Sequence, residues 1–256
     1  MEKDDVAKRR AYRRKKARKK HLLVGFVIFL IIGIIVFAAL SLTVLFPVKK
    51  ATFSGSKVYT SAQVEKNIDI IGKNIITLSE KTIADTARRK LPYIDSVKIK
   101  RSFPDTVSVE ITDAVEYAAY EQNGKYVITS VDGYILNIKA SKPQSLIMIK
   151  AKIKKSEIGG KIEFEDEKTS ATIETIVSEL KKYKIKTDTI DITVPTEIKV
   201  GIMNNRFSVN LGTKQDIDKK LKHLSVMIKE IDGSSKGKID LSGWNESNPT
   251  GILSKE

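Results

Sequence analysis

RRKLPYIDSVKIKRSFPDTVSVEITD, residues 88–113, reads as the end of a helix followed by a β-hairpin. Leu91 closes an apolar series begun by Ile83 and Ala87 at i, i+4 and i+8, and Pro92 ends the helix because it disfavours helical backbone in the residue before it. Tyr93 to Phe103 then alternates, with Val97, Ile99, Arg101 and Phe103 on one parity. Pro104-Asp105 supplies a turn, and Val107, Val109 and Ile111 alternate in the return strand. Working outward, Lys50–Ser54 reads as a strand entering a tight turn at Gly55, and Thr60 with Gln63 forms a capping-box start. Val64, Ile68 and Ile71 give the first helix its apolar face, Gly72 ends it, and Ser79 starts the second helix after the junction containing Asn74. The element order over this region is β-α-α-β-β.

The chain of 256 residues carries 46 Lys and Arg against 31 Asp and Glu, a net charge of +15. Eleven of those cations and three of the acids lie in residues 1–20, so this short tail, with Arg13, Arg14, Lys15, Lys16, Arg18, Lys19 and Lys20, holds +8 of the excess. No charge appears between Lys20 and Lys49. Within that interval, residues 22–46 are apolar apart from Gly25, Gly33, Ser41 and Thr43. As a helix they would extend about 37 Å at ~1.5 Å per residue, enough to cross a hydrocarbon core of ~30 Å. The run is too long for a signal-peptide core, and the preceding cations place residues 1–21 in the cytoplasm. The tail also has the charge of a nucleic-acid arm. Topology and contact with anionic lipid already account for it, and no folded reading module accompanies it.

Beyond residue 117, Asn123-Gly124 and Asp132-Gly133 sit between apolar runs and mark a β-meander, followed by a strand at Leu146–Ile149. Ile173, Ile176, Val177 and Leu180 mark one amphipathic helix, and Ile217, Leu221, Leu224 and Ile228 another. Strands are expected at residues 190–194, 198–202 and 207–211 between the helices, and at 238–241 after them. The fold class is α+β: a basic tail (1–21), one transmembrane helix (22–46), a β-α-α-β-β domain (47–116), a mixed β domain with two helices (117–241) and a C-terminal tail (242–256).

Chemistry is sparse. The absence of Cys removes disulfides, thiolate nucleophiles and Cys-ligated metals. His21 and His223 are too far apart in sequence to suggest one site, and no phosphate loop or nucleophile elbow is present. Glu163, Glu165, Asp166 and Glu167 have the composition of a glycosidase pair, but their position before a helix start also suits the helix dipole. No catalytic, metal-binding or cofactor-binding residue is assigned.

The segments GSKVYTSAQV (55–64), GKNIITL (72–78) and 88–113 resemble a POTRA domain, in the form found in the bacterial cell-division family FtsQ/DivIB. Gly55, Gly72, Asn74, Pro92, Arg101, Phe103 and Pro104 stand at the motif positions. Tyr126 with Asp132-Gly133, and the closing FSVNLG, KLKHLSVMI and GKIDLS segments, extend the resemblance, with residues 139–165 its weakest part. The resemblance implies a type II single-pass protein of the division septum, without enzymatic activity. Its implied partners are the single-pass proteins called FtsL and DivIC/FtsB, with regulation of septal peptidoglycan synthases. It further implies strand addition at the edge formed by Lys238, Ile239, Asp240 and Leu241, with Trp244 as an aromatic anchor beyond it. A POTRA-type polypeptide-transport module is the alternative.

Overall fold

The computed structural model describes residues 22–38, 40, 46–231, 235–244 and 251–255. Residues 22–38 form a helix (α1) with every side chain exposed. At ~1.5 Å per residue it is about 25 Å long, and among the described residues no helix is long and apolar enough to cross a membrane. The rest of the expected span at 39 and 41–45, and the cations between Arg13 and Lys20, lie outside the described residues.

The next elements are β1 (Lys50–Ser54), α2 (Ser61–Asn67), α3 (Glu80–Arg88), β2 (Ile94–Ser102) and β3 (Thr106–Asp113). β3 is the central strand, parallel to β1 with Phe53 opposite Val109 and antiparallel to β2 with Val97 opposite Ile111. The capping box forms: Gln63 N donates to Thr60 Oγ1, and Thr60 N donates to Gln63 Oε1 at 2.9 Å. Ser79 Oγ accepts from Thr82 N at the start of α3. Val64, Ile70, Ile75, Ile83, Ala87 and Leu91 bury against the sheet in one core. α2 is shorter than the sequence pattern suggests. It ends at Asn67 because Ile68 turns extended, which carries Ile70 inward and leaves Ile71 exposed. Gly72 N then donates to Val48 O at 2.8 Å, returning the chain to the start of β1.

A second core is built on a nine-stranded sheet. Its elements are β4 (Ala118–Gln122), β5 (Lys125–Thr129), β6 (Ile135–Lys139), β7 (Ile147–Lys150), β8 (Ile153–Lys155), β9 (Glu163–Phe164), α4 (Lys168–Lys182), β10 (Thr187–Asp191), β11 (Ile198–Ile202), β12 (Phe207–Gly212), α5 (Ile217–Glu230), β13 (Gly237–Asp240) and β14 (Ile252–Lys255). The sheet order is β14-β13-β12-β11-β10-β7-β4-β5-β6, while β8 and β9 pair separately. Ile173, Ile176, Val177 and Leu180 of α4, with Ile217, Leu221 and Leu224 of α5, share one buried cluster with sheet residues such as Ile190, Val200 and Val209. Each fully buried side chain of this kind stabilises by roughly 1.5–3 kcal/mol. β10 lies at 187–191 rather than 190–194, because Asp191 Oδ1 accepts from Thr193 N and Oγ1 and turns the chain. Residues 139–165, weak in the sequence comparison, supply the β8–β9 ladder.

Candidate functional site

The distal edge of the large sheet is formed by β12, β13 and β14 with α5 behind them. β13 runs parallel to β12, Val209 opposite Ile239, and alternation sends Ile239 inward and leaves Lys238 and Asp240 exposed. Leu241 is fully buried and donates from its N to Asn210 O at 2.8 Å. Ser242 N donates to Asp240 Oδ1 at 2.8 Å; the Ser242 hydroxyl and amide hold the Asp240 carboxyl below its ordinary range. Behind the strands, Lys220 of α5 is buried and donates from Nζ to Leu211 O at 2.7 Å, tying the helix to β12. Burial lowers its pKa, against the nearby Asp216 carboxylate.

The strand expected to be outermost is an interior strand. β14 pairs antiparallel with β13, with Ile239 opposite Leu253 and Asp240 opposite Ile252. The reason is local: Gly251, with no side chain, fits against Leu241 and Met227 and brings the tail onto the edge. Trp244 packs against the second core with its ring 6.3 Å from that of His223, and among the described residues its buried indole N–H has no partner. Tyr183, Lys219, Lys222, Val226 and Trp244 line an open groove of about 580 Å³ alongside α5. Lys238, Ile239, Asp240, Leu241 and Trp244 are thus brought to one end of the molecule, with β14 between the first four and solvent on the edge side.

The motif residues of the first unit gather elsewhere and are architectural. A Cβ on Gly55 would collide with Ile111 O, and Asp113 clamps the same turn by accepting from Ser56 Oγ and Lys57 N, both at 2.6 Å. Asn74 Oδ1 accepts from Ile76 N at 2.9 Å. Arg101 Nε donates to Ile75 O at 2.8 Å and its terminal nitrogen to Leu78 O, pinning the 74–78 junction to the β2–β3 hairpin. Leu91 is buried just before Pro92. Phe103, next to Pro104, is 61% exposed and meets Phe46 edge-on, with centroids 5.8 Å apart.

Between the two cores lies a polar joint that sequence reading did not single out. Tyr93 Oη donates to Glu116 Oε1 at 2.7 Å, and Lys139 Nζ donates to the same carboxylate at 2.9 Å. Burial and the Glu116 hydrogen bond push the Tyr93 hydroxyl up to about 12. Burial alone would raise Glu116, but Lys139 and Tyr93 outweigh it and hold the carboxyl below its ordinary range. Arg88 lies 4.3 Å over the Tyr134 ring, and Gly159 sits on the Arg88 carbonyl.

Two further features bear on chemistry. A cavity of about 470 Å³ lies between α4 and the sheet, lined by Tyr120, Ile149, Phe164 and Ile173 with Asp132, Glu174 and Lys181 among its polar residues. Among the described residues no group of three or more His, Asp and Glu side chains is placed to hold a metal ion. Of the acidic run, Glu163 is in β9, Glu165 N donates to Lys152 O, and Asp166 accepts from Lys168 N at the start of α4.

Residues 46–113 match the family model described as "POTRA domain, FtsQ-type". The chain is therefore a POTRA-domain protein. It is similar to "Cell division protein FtsQ" of Streptomyces coelicolor, 27% identical over 86 residues that cover 33% of each chain. It is also similar to "Cell division protein DivIB" of Clostridium botulinum, 24% identical over 261 residues covering 100% of each, and of Clostridium tetani, 25% identical over 190 residues covering 72% of this chain and 69% of that one. The match spans about a third of the length of the first Streptomyces relatives. More particularly than POTRA proteins at large, the FtsQ-type domain match and the relatives named FtsQ and DivIB support similarity to the FtsQ/DivIB family.

Proposed function

We propose that this protein is a non-enzymatic scaffold of the bacterial division machinery. The observation that carries the reading is the FtsQ-type POTRA domain at residues 46–113, joined to a second unit whose similarity to the DivIB relatives runs the length of the chain. The anchor is residues 22–46, the basic tail is cytoplasmic, and the units at 47–116 and 117–241 face outward at the septum. Supporting this are the +8 charge at residues 1–20, the uncharged interval to Lys49 and the wholly exposed apolar surface of α1. The partners are FtsL-like and DivIC/FtsB-like single-pass proteins, and through them the septal peptidoglycan synthases. They dock at the end of the sheet carrying β13, β14, Leu241 and the groove by Trp244, where the outer strand groups of β14, or those of β13 freed from β14, supply affinity and alternate side chains supply selectivity. An incoming strand therefore either displaces β14 or adds outside it.

A fluorescent fusion of the full chain, imaged in dividing cells, tests the reading. Rings at midcell support it; even fluorescence around the envelope in cells that carry a visible septum refutes it.

A further inference from the structure

The first unit carries an apolar and cationic surface where the chain emerges from the apolar segment, and we infer that this surface lies on the headgroup region of an anionic bilayer. The inference rests on the anchor reading above and extends it from residues 22–46 to a folded face.

Phe46 ends the apolar run and begins the folded unit. Its carbonyl accepts from Ile75 N at 2.8 Å, and its ring meets Phe103 at the tip of the β2–β3 hairpin. Phe103 is 61% and Ile76 38% exposed, while neither belongs to the core beneath them. Exposed aromatic and aliphatic side chains grouped this way mark an interaction surface. The occupant follows from covalent continuity. Residue 40 is helical, and the six residue steps from it to Phe46 extend at most ~22 Å at 3.3–3.6 Å each. Ser41, Leu42, Thr43, Val44 and Leu45 are uncharged, so the preference for lipid persists up to the Phe46–Phe103 pair.

Cations rim the same surface. Lys49 and Lys50 donate from their amides to Asp105 O in the hairpin, and Lys73 O accepts from Val48 N, so all three flank the Phe46 path. Lys49 pairs with Asp105 at 3.6 Å and Lys73 with Asp69 at 3.7 Å, yet their side chains are 70% and 52% exposed. Such surface pairs are weak and leave the ammonium groups available to phosphate. Phe side chains set at the acyl boundary with Lys reaching the headgroups is the arrangement of interfacial membrane binding. Arg101 bonds the 75–78 segment to the hairpin and so holds Ile76 and Phe103 on neighbouring segments.

The chain has no Cys, so Ser102→Cys and, as a remote site, Glu197→Cys each give a single nitroxide label on the full chain. The labelled protein is reconstituted into vesicles of phosphatidylcholine with phosphatidylglycerol. The expected result is several-fold less relaxation of the label at 102 than at 197 by an aqueous nickel chelate, reversed by Phe103→Ser and weakened by Lys49→Glu with Lys50→Glu. Equal accessibility at 102 and 197, or protection that survives both sets of substitutions, overturns the docking surface. An alkaline wash of the same vesicles separates the two readings. Protein that stays on the vesicles with an accessible label defeats the docking alone, whereas protein that washes off defeats the anchor and the docking together.

Discussion

Gly159 has no Cβ, and the space one would take is filled by the Arg88 carbonyl across the joint. Its φ of +80° adds a second reason for glycine, since an L side chain there is strained by about 1–3 kcal/mol. Gly159→Ala combines strain with a backbone collision that no rotamer change relieves. We expect a fall in Tm of about 3–10 °C by thermal unfolding, taking ~2–4 °C per kcal/mol for a chain of this size. Gly124→Ala is the informative comparison, because its φ is also positive, at +72°, but its Cβ would meet nothing within 4 Å. It should lose only the strain part, and an equal loss at both sites would remove the joint from the explanation.

β14 settles how the distal edge behaves. Four residues pairing with β13 cover the row of groups that a partner strand would otherwise use. Removing residues 251–255 should speed amide hydrogen exchange in β13 while leaving β11, which is flanked by β10 and β12, unchanged. If a DivIC-like partner displaces β14, the shortened chain should also capture it several-fold more tightly; weaker capture means that the partner strand adds outside β14. The sequence foretold a strand at 238–241 because Ile239 and Leu241 alternate with Lys238 and Asp240, a signal contained in four residues. It did not foretell β14, since Ile252 and Leu253 alone carry no period and pairing with a distant strand is not a local property. The same division holds elsewhere. α4 and α5 were legible from their 3.6-residue apolar faces and the hairpins from Asn-Gly and Asp-Gly turns, with Asn123 and both glycines at positive φ. The end of α2 was not, because Ile68 and Ile71 continue a helical pattern that burial of Ile70 overrides. The strand at the candidate site was legible in the sequence, but its cover by the chain's own tail was not.

The two cores are joined through the Glu116 carboxyl, and its lowered pKa gives this joint's contribution to stability a defined sign with pH. Glu116 comes just before β4, and its carboxylate takes Tyr93 from one side and Lys139 of β6 from the other, so a single side chain spans the joint. Because Lys139 and Tyr93 lower its pKa in the folded protein despite partial burial, the folded state favours the ionised form. A depressed carboxyl contributes stability that is fully present above its unfolded value. That contribution is lost as pH falls through the lowered folded value. Protonation of Glu116 dissolves its ion pair with Lys139 and leaves a neutral hydrogen-bonded carboxyl. Thermal unfolding followed from neutral pH down through the carboxylate range should therefore show a decline in Tm that Glu116→Gln makes shallower. At neutral pH the variant should be less stable than the wild type, and the difference should narrow as pH falls, because the wild type loses what the variant never had. A gap that stays constant across the range would mean that Glu116 acts through packing rather than charge. A gap that widens on acidification would reverse the sign and remove the ion pair from the forces holding the two units together.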